Sequence, residues 1–484
     1  GDISGSFSNV VLNGILSTQV GELALDANCL MNDDFSKLNF NSYVETEGVD
    51  LGKLLNKENV FGKIALNLNL TGVYDKSKKG ADATLDGAIS SFGLNGYEYN
   101  DIVINGEVSP SSFTGKMAMK DENAILDFDG KIIWDSGFPK GDFHLSVDDF
   151  SPYRLNLTKE NKDLWLGFDL YFDYLDDKSI TRSAEFRLDN LVVKNNDKVF
   201  STYPIVFSSA VRDSIILLKL DSHLAQAELE GRFSLSKLPN SFKALRDHYF
   251  PLLKSEQQPE YKADNHIFFS LKNIHIDKLA EVLNQRIFID STSYLKGEID
   301  DRHGAFYVEG RIPRLGIKKF RFRDTKIDLS NDDGATLLHF STKMFGPKSN
   351  KPTDLAIMAN VVPNFIDWGL TWNNRDFYGQ LDFSTRLFKT EENQLMADIA
   401  IRPTTFTING DRWMVNEANI KTDFKRFEVS DFALEGNEQH IRLDGMIGNT
   451  FEDSLNVDLR DVRLSYIMNL VNVHQVELDA MLTG

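Results

Sequence analysis

Cysteine is nearly absent. Cys29 stands alone among 484 residues, so the chain closes no internal disulfide and builds no thiolate metal cluster. Long apolar runs are missing as well: no stretch of about 18 apolar residues occurs, so no segment reads as a membrane-spanning helix. Positive charge is in deficit, with 53 Lys and Arg against 72 Asp and Glu and a net charge of −19. That balance argues against a nucleic-acid binder, which gathers Lys and Arg on one face, and weakens a reading as a peripheral protein held on anionic lipid by a basic patch. No secretory signal peptide is recognisable at the start of the sequence.

The chemistry of catalysis is equally thin. The nine His are scattered, and no pair has the i, i+4 spacing of a helical zinc site. The closest pair, His266 and His275, flanks a mostly apolar strand and reads as surface or satisfied histidine. Asp127-Phe128-Asp129-Gly130 has the flavour of a calcium loop but lacks its third carboxylate and its downstream bidentate Glu. There is no G-x-S-x-G elbow, phosphate-binding loop or dinucleotide fingerprint. No catalytic, metal-binding or cofactor-binding residue is assigned, and the protein reads as a non-enzyme needing no cofactor.

What the chain has is repetition. An apolar ladder, a helix-like stub and an alternating strand recur at four places. They begin at Val44 (VETEGVDLGKLLNKENVFGKIALNLNLTG), Leu145 (LSVDDFSPYRLNLT), Phe269 (FSLKNIHIDKLAEVLN) and Val457 (VDLRDVRLSYIMNLVNVHQVELDAMLTG). Aligned without gaps, Leu54, Leu155, Leu279 and Ile467 fall at one repeat position. Such repeats imply stacked units sharing a core. The last copy stops at Thr483-Gly484, the equivalent of Thr71-Gly72, so both termini are expected to be cuts inside a longer protein.

Between the stubs, strand signals dominate. Ile64, Leu66, Leu68 and Leu70 alternate with Ala65, Asn67 and Asn69. Leu164, Leu166, Phe168 and Leu170 alternate with Trp165, Gly167 and Asp169, and Val476 and Leu478 with Glu477 and Asp479. Period-two alternation marks a strand with one apolar face. Asn95-Gly96, Asn105-Gly106, Asp333-Gly334 and Asn409-Gly410 read as hairpin turns. An apolar-acid-Gly motif recurs at Leu85-Asp86-Gly87, Phe128-Asp129-Gly130, Leu229-Glu230-Gly231, Val308-Glu309-Gly310 and Leu443-Asp444-Gly445. Each is read either as a bend in a strand or as the closure of a hairpin. Helices are expected only as stubs, over Gly52–Leu55, Ser241–Tyr249, Asp277–Leu283 and Ser465–Val471. Pro251–Asn265 and Phe345–Pro352 read as loops, dividing the chain into sub-blocks near 1–140, 141–260, 261–355 and 356–484.

The expected fold is all-β. A long, curved, mostly antiparallel sheet of roughly thirty strands would bury one apolar face by curling into a groove, a taco of sheet. With 35 Phe to accommodate, such a groove suits acyl chains, and the residues expected to line it are the ten apolar ones of the three alternating runs above. The segment Ile317-Lys318-Lys319-Phe320-Arg321-Phe322-Arg323 is locally basic and interleaved with Phe. It reads as a two-faced strand, with contact to single-stranded nucleic acid or lipid headgroups as the alternatives.

The stretches VDLGKLLN and GKIALNLNLTG, followed by DATLDGAISSFGLNGYEYNDIVINGEVSPSSFTGKMAMKDENAILDFDGKI, resemble the middle region of the TamB family in the AsmA-like superfamily of Gram-negative envelope proteins. Phe269–Gly297 and Val457–Gly484 resemble it more loosely. The resemblance implies a groove-shaped sheet in the periplasm of a protein anchored to the inner membrane by a helix outside these residues. It implies a bridge-like conduit for phospholipid toward the outer membrane, no catalytic motif, and an outer-membrane barrel-assembly partner bound through regions outside this sequence. Rival readings are a scaffold that templates outer-membrane protein strands, a secreted adhesin or glycan-binding array, and a transmembrane barrel.

Overall fold

The computed structural model describes all residues except 7, 79, 135–139, 178–180, 235–236, 255–263, 333–334, 347–351, 376, 409, 450–452, 464–480 and 483–484. The chain is mostly β, as expected from its alternation. One antiparallel sheet of 32 strands carries a few short helices, and Val462–Arg463 pairs separately with Met481–Leu482. The backbone divides into two compact units. The first holds Gly1–Asp213, Leu218–Ala225 and Asp277–Gln285; the second holds Ser214–Leu217, Gln226–Ile276 and Arg286–Gly484.

In the first unit each strand pairs with the next in sequence, from Asp2–Ser6 through Thr181–Asn195. Thr181–Asn195 then pairs with both Lys198–Ser201 and Ile205–Arg212. In the second unit Gln226–Arg232 pairs with His266–Lys272, and that strand with Tyr294–Asp300. From there Ala305–Ile317, Phe320–Asp332, Ala335–Phe345, Thr353–Val362, Phe365–Asn373 and Phe377–Lys389 follow as a meander.

Alternation becomes facing. In Phe61–Asp75, Lys63, Asn67, Asn69 and Thr71 are exposed, while Ile64, Leu66, Leu68 and Leu70 between them are half-buried. Asn95-Gly96 makes a two-residue turn between Gly80–Leu94 and Tyr97–Ser109, with φ of 50° and 76°. Both angles are left-handed, as the hairpin turn that follows strand twist requires. Asn105-Gly106 does not turn: it lies inside Tyr97–Ser109, Asn105 opposite Lys116 and Gly106 opposite Gly115. Gly410 follows Thr404–Ile408 as expected, while Asp333-Gly334 and Asn409 fall outside the described residues.

The acid-Gly pairs do not close hairpins. Gly87, for example, lies mid-strand between Leu68 and Ile104, with φ +155°. A Cβ there would stand 2.1 Å from the Asn67 carbonyl oxygen. Four of the register shifts fall on left-handed Asx residues instead, Asp149, Asn190, Asp324 and Asp431, with φ between 47° and 58°, while the shifts along Phe61–Asp75 involve no such residue. Asp and Asn tolerate that conformation because their short polar side chains bond locally, and each bulge bends its strand.

Three stubs form where the sequence places them, as Leu51–Leu55, Leu238–Tyr249 and Asp277–Val282. The fourth, 465–471, lies outside the described residues. Leu51–Leu55 is bounded by its own chemistry: Asp50 caps it by accepting from the Lys53 N–H at 3.0 Å, and Asn56 ends it in the left-handed region. At Leu145 the repeat uses turns in place of a helix, with the Leu155 N–H donating to the Ser151 carbonyl at 3.1 Å. The expected loops keep the 3-10 turn Pro251–Leu253, whereas 255–263 and 347–351 lie outside the described residues.

Candidate functional site

Cross-strand partners share a face, so the register reads out what each face carries. In the first unit one row runs through Leu25, Val44, Leu68, Gly87, Ile104 and Met117. It continues through Phe128, Leu145, Leu170, Leu188 and Ile205. No polar side chain interrupts it. The adjacent row passes Leu66, Ile89, Ile102, Met119, Leu126 and Val147 to Phe168. The opposite face carries Asn69, Asp86, Asn105, Lys116 and Asp129, ending in a stacked His144–Tyr171 pair. The sheet is therefore two-faced across successive strands, not merely along each one.

A third row on the apolar face is aromatic. Phe143 faces Phe172, Phe172 faces Phe186, and Phe186 faces Phe207. Their ring centroids lie 5.2, 4.3 and 6.3 Å apart, and Phe128 reaches Phe143 at 5.4 Å. Each such pair adds about 0.5–1.5 kcal/mol beyond area burial. Gly106, Gly115 and Gly130 lead into this row, and at Gly130 an added Cβ would stand 2.5 Å from the Phe143 Cα.

The second unit repeats the arrangement. Leu229, Phe269, Gly297, Val308, Leu329 and Leu338 form one row, extended by Ala359, Trp368, Phe383 and Ile401. Trp368 and Phe383 stack at 5.8 Å. The opposite face shows Ser270, Lys296, Glu309, Asp328 and His339.

Most positions on these apolar faces are half-buried, with Met119, Val147, Phe172, Ala359 and Ile401 buried among them. Leu66, Leu68, Leu70, Phe168, Leu170, Phe269 and Leu329 all keep partial exposure. Among the described residues, the large side chains under 2% exposed are Trp413, Phe172, Leu155 and Val462. Dense packing is local and sits where other segments meet the face. In the first unit Leu155 joins Met119 and Ala124, against Tyr97, Tyr99 and Phe150. There burial and the Asp121 carboxylate push the Tyr97 hydroxyl up to about 12. In the same unit Val282 of the Asp277–Val282 stub packs on Val193 and Phe200, and Asn195 Nδ2 donates to the Val282 carbonyl at 2.8 Å. In the second unit Ile401, Val415 and Ala418 form a third dense cluster.

Of the residues expected to line a groove, Ile64, Leu66, Leu68, Leu70, Phe168 and Leu170 lie on the apolar face of the first unit. Leu164 and Leu166 pack instead on the cluster beneath the Asp277–Val282 stub. Val476 and Leu478 lie outside the described residues. Sequence reasoning missed the Phe143–Phe207 ladder and the Trp368–Phe383 stack. Each contributes one residue per strand, and only register unites them.

A pocket of about 460 Å³ in the second unit is lined by Arg232, Asn265, His266, Asp300 and His303, among others. There His266 meets Glu298 at 2.6 Å and His303 meets Asp300 at 2.7 Å. Ser241 donates to Asp301 at 2.6 Å beneath it, in a buried network with Asn265. Asp127 and Asp129 lie on the strand Ala124–Ile133, opposite Ala118 and Lys116. Among the described residues no group of three His, Cys, Asp or Glu is placed to hold a metal ion, and no helix is long and apolar enough to cross a membrane. No family model, curated protein or solved structure matches the chain.

Proposed function

We propose that this protein is a non-enzymatic lipid conduit whose apolar sheet faces hold phospholipid acyl chains. The observation that carries this reading is the unbroken row from Leu25 to Ile205, apolar at every strand yet partly exposed. A row of this kind has no polar step that would arrest a hydrocarbon chain. Each methylene taken from water onto it gains up to about 0.8 kcal/mol. Burial without directional polar contacts favours acyl chains in general over one headgroup. The sequence resemblance suggests the setting: the periplasm, with phospholipid moving between inner and outer membranes, a TamB-like role, and a barrel-assembly partner bound elsewhere.

Photo-crosslinking in cells tests the reading. Benzophenone side chains at Leu66 and Phe168 are expected to capture phospholipid, and one at Asn67 on the polar face is expected not to. Capture at Asn67 with none at Leu66 or Phe168 would overturn the proposal. Capture of a protein strand in place of lipid would move the reading to a scaffold for outer-membrane protein assembly.

A further inference from the structure

The basic segment 317–323 is not used by the apolar faces. It lies in the second unit, at a hairpin between Ala305–Ile317 and Phe320–Asp332, whose two turn residues are Lys318 and Lys319. Lys318 stands at φ 54°, a conformation that Gly, Asn or Asp adopts at less cost. The strand Ile287–Ile289 pairs beside it, Ile287 opposite Ile317, and the Lys318 N–H donates to the Arg286 carbonyl at 2.7 Å.

Two features coincide there. The first is cationic: Arg321 and Arg323 leave the turn, Arg314 faces Arg323, and Arg323 faces Lys343. With Arg286, Lys318 and Lys319 these make seven exposed cations. Carboxylates also stand among them: Asp290 pairs with Arg314 at 2.7 Å, Asp324 with Lys343 at 3.3 Å, and Asp354 lies opposite Lys343 on the next strand. The Arg321 and Arg323 guanidinium carbons stand 5.6 and 5.0 Å from the Phe345 ring centroid, and Arg314 stands 5.5 Å from that of Phe288. In a chain of net charge −19 this is a local reversal of sign. The second feature is apolar: Ile287, Phe288, Ile317 and Phe320 are exposed by 38, 39, 42 and 39%.

We propose that this hairpin tip docks on an anionic phospholipid bilayer. Guanidinium groups are weakly hydrated and fork onto phosphate oxygens, while lysines at the turn follow the surface potential. Ile287, Ile317 and Phe320 share one face of the hairpin and Phe288, Arg314, Arg321 and Arg323 the other, so a tip entering end-on sets Ile and Phe at the boundary of headgroup and acyl chain with the guanidinium groups on its other side. A nucleic acid would use the cations and aromatics but gives exposed isoleucines nothing to stack on. The overall acidity of the chain does not oppose docking, because charges beyond about a Debye length of ~8 Å are screened at physiological salt. The proposal stands apart from the conduit reading, since docking needs the bilayer surface and not a chain in the groove.

The test is co-sedimentation of the whole chain with vesicles of phosphatidylcholine alone, or with about a third phosphatidylglycerol. Binding is expected to the anionic vesicles only, and to be lost on raising salt from roughly 0.05 to 0.5 M. The combined variant Lys318→Gln, Lys319→Gln, Arg321→Gln is expected to weaken it at least about tenfold. Ile317→Ser with Phe320→Ser should weaken it with the charges intact. Lys116→Gln with Lys131→Gln, on the first unit, should leave it unchanged. Wild-type binding to neutral vesicles as strong as to anionic ones, or a Gln variant that binds as wild type, would overturn the proposal. So would competition by a single-stranded RNA at equal affinity. Lipid crosslinking at Leu66 should be unchanged in the Gln variant, so failure of docking and failure of the conduit are separately visible.

Discussion

At the scale of the residue, the apolar face depends on a few positions where substitution has no room to relax. Gly130 is one: its φ is +141°, and an added Cβ would meet the Asp142 carbonyl oxygen at 2.4 Å. Gly130→Ala is expected to cost about 2 kcal/mol or more, read as a lower urea midpoint, because strain and overpacking add. Phe172, 1% exposed between Phe143 and Phe186, should cost about 3–5 kcal/mol as Phe172→Ala. Asp290 behaves differently, because its contribution depends on pH. Its carboxylate accepts from the Thr292 hydroxyl at 2.7 Å, from Arg314 Nε at 2.7 Å and from the Thr292 N–H at 3.1 Å. These contacts, the Thr292 hydroxyl foremost, hold it down to about 2 from an ordinary 3.8. The folded state thus binds this proton less readily than the unfolded state. The stabilisation is complete above the ordinary value and is lost as pH falls through about 2. Asp290→Asn should lower stability by about 1–2 kcal/mol at neutral pH and flatten the acid limb of the stability curve. An unchanged acid limb would show that these contacts do not stabilise the fold.

At the scale of the element, the repeat was legible in the sequence, and the work done by each copy was not. Leu54, Leu155 and Leu279 share one repeat position, yet Leu54 is 59% exposed, Leu155 is fully buried and Leu279 packs beside Val282. Pattern predicts which way a side chain points along its own segment, while burial depends on what the segment meets. Leu155→Ala is accordingly expected to cost about 2–5 kcal/mol and Leu54→Ala no more than ~0.5 kcal/mol in the same urea titration. Equal costs would contradict the packing. Two Asn-Gly pairs teach the same lesson. Asn95-Gly96 turns because both flanking runs end there. Asn105-Gly106 stays extended because Asn105 Nδ2 donates to Asp86 at 2.7 Å on the polar face, and Gly106 leaves space that the Phe113 ring approaches on the other. The bulges at Asp149, Asn190, Asp324 and Asp431 were hidden, since an Asx in a strand looks the same whether it turns left-handed or faces water.

At the scale of the whole molecule, the fold class followed from alternation, because period two commits each strand to one face. The continuity of that face did not follow, because it depends on register, and register joins residues such as Leu68 and Ile104 only through Gly87 on the strand between them. The consequence of continuity is thermodynamic. Unfolding raises heat capacity in proportion to the apolar surface newly given to water, ordinarily about 12–15 cal/mol/K per residue. Here most positions of the apolar rows in each unit keep part of their surface in water. Calorimetric unfolding of the delipidated chain is therefore expected to show a heat-capacity change below that range, with native-state binding of an apolar dye. Loading with phospholipid should quench the dye, raise the midpoint by mass action and bring the heat-capacity change up, because bound acyl chains remove from water the surface that the bare sheet leaves exposed. A delipidated chain with an ordinary heat-capacity change and no dye binding would mean that the faces close on themselves in solution. The rows would then be a core, and lipid would have no place along them.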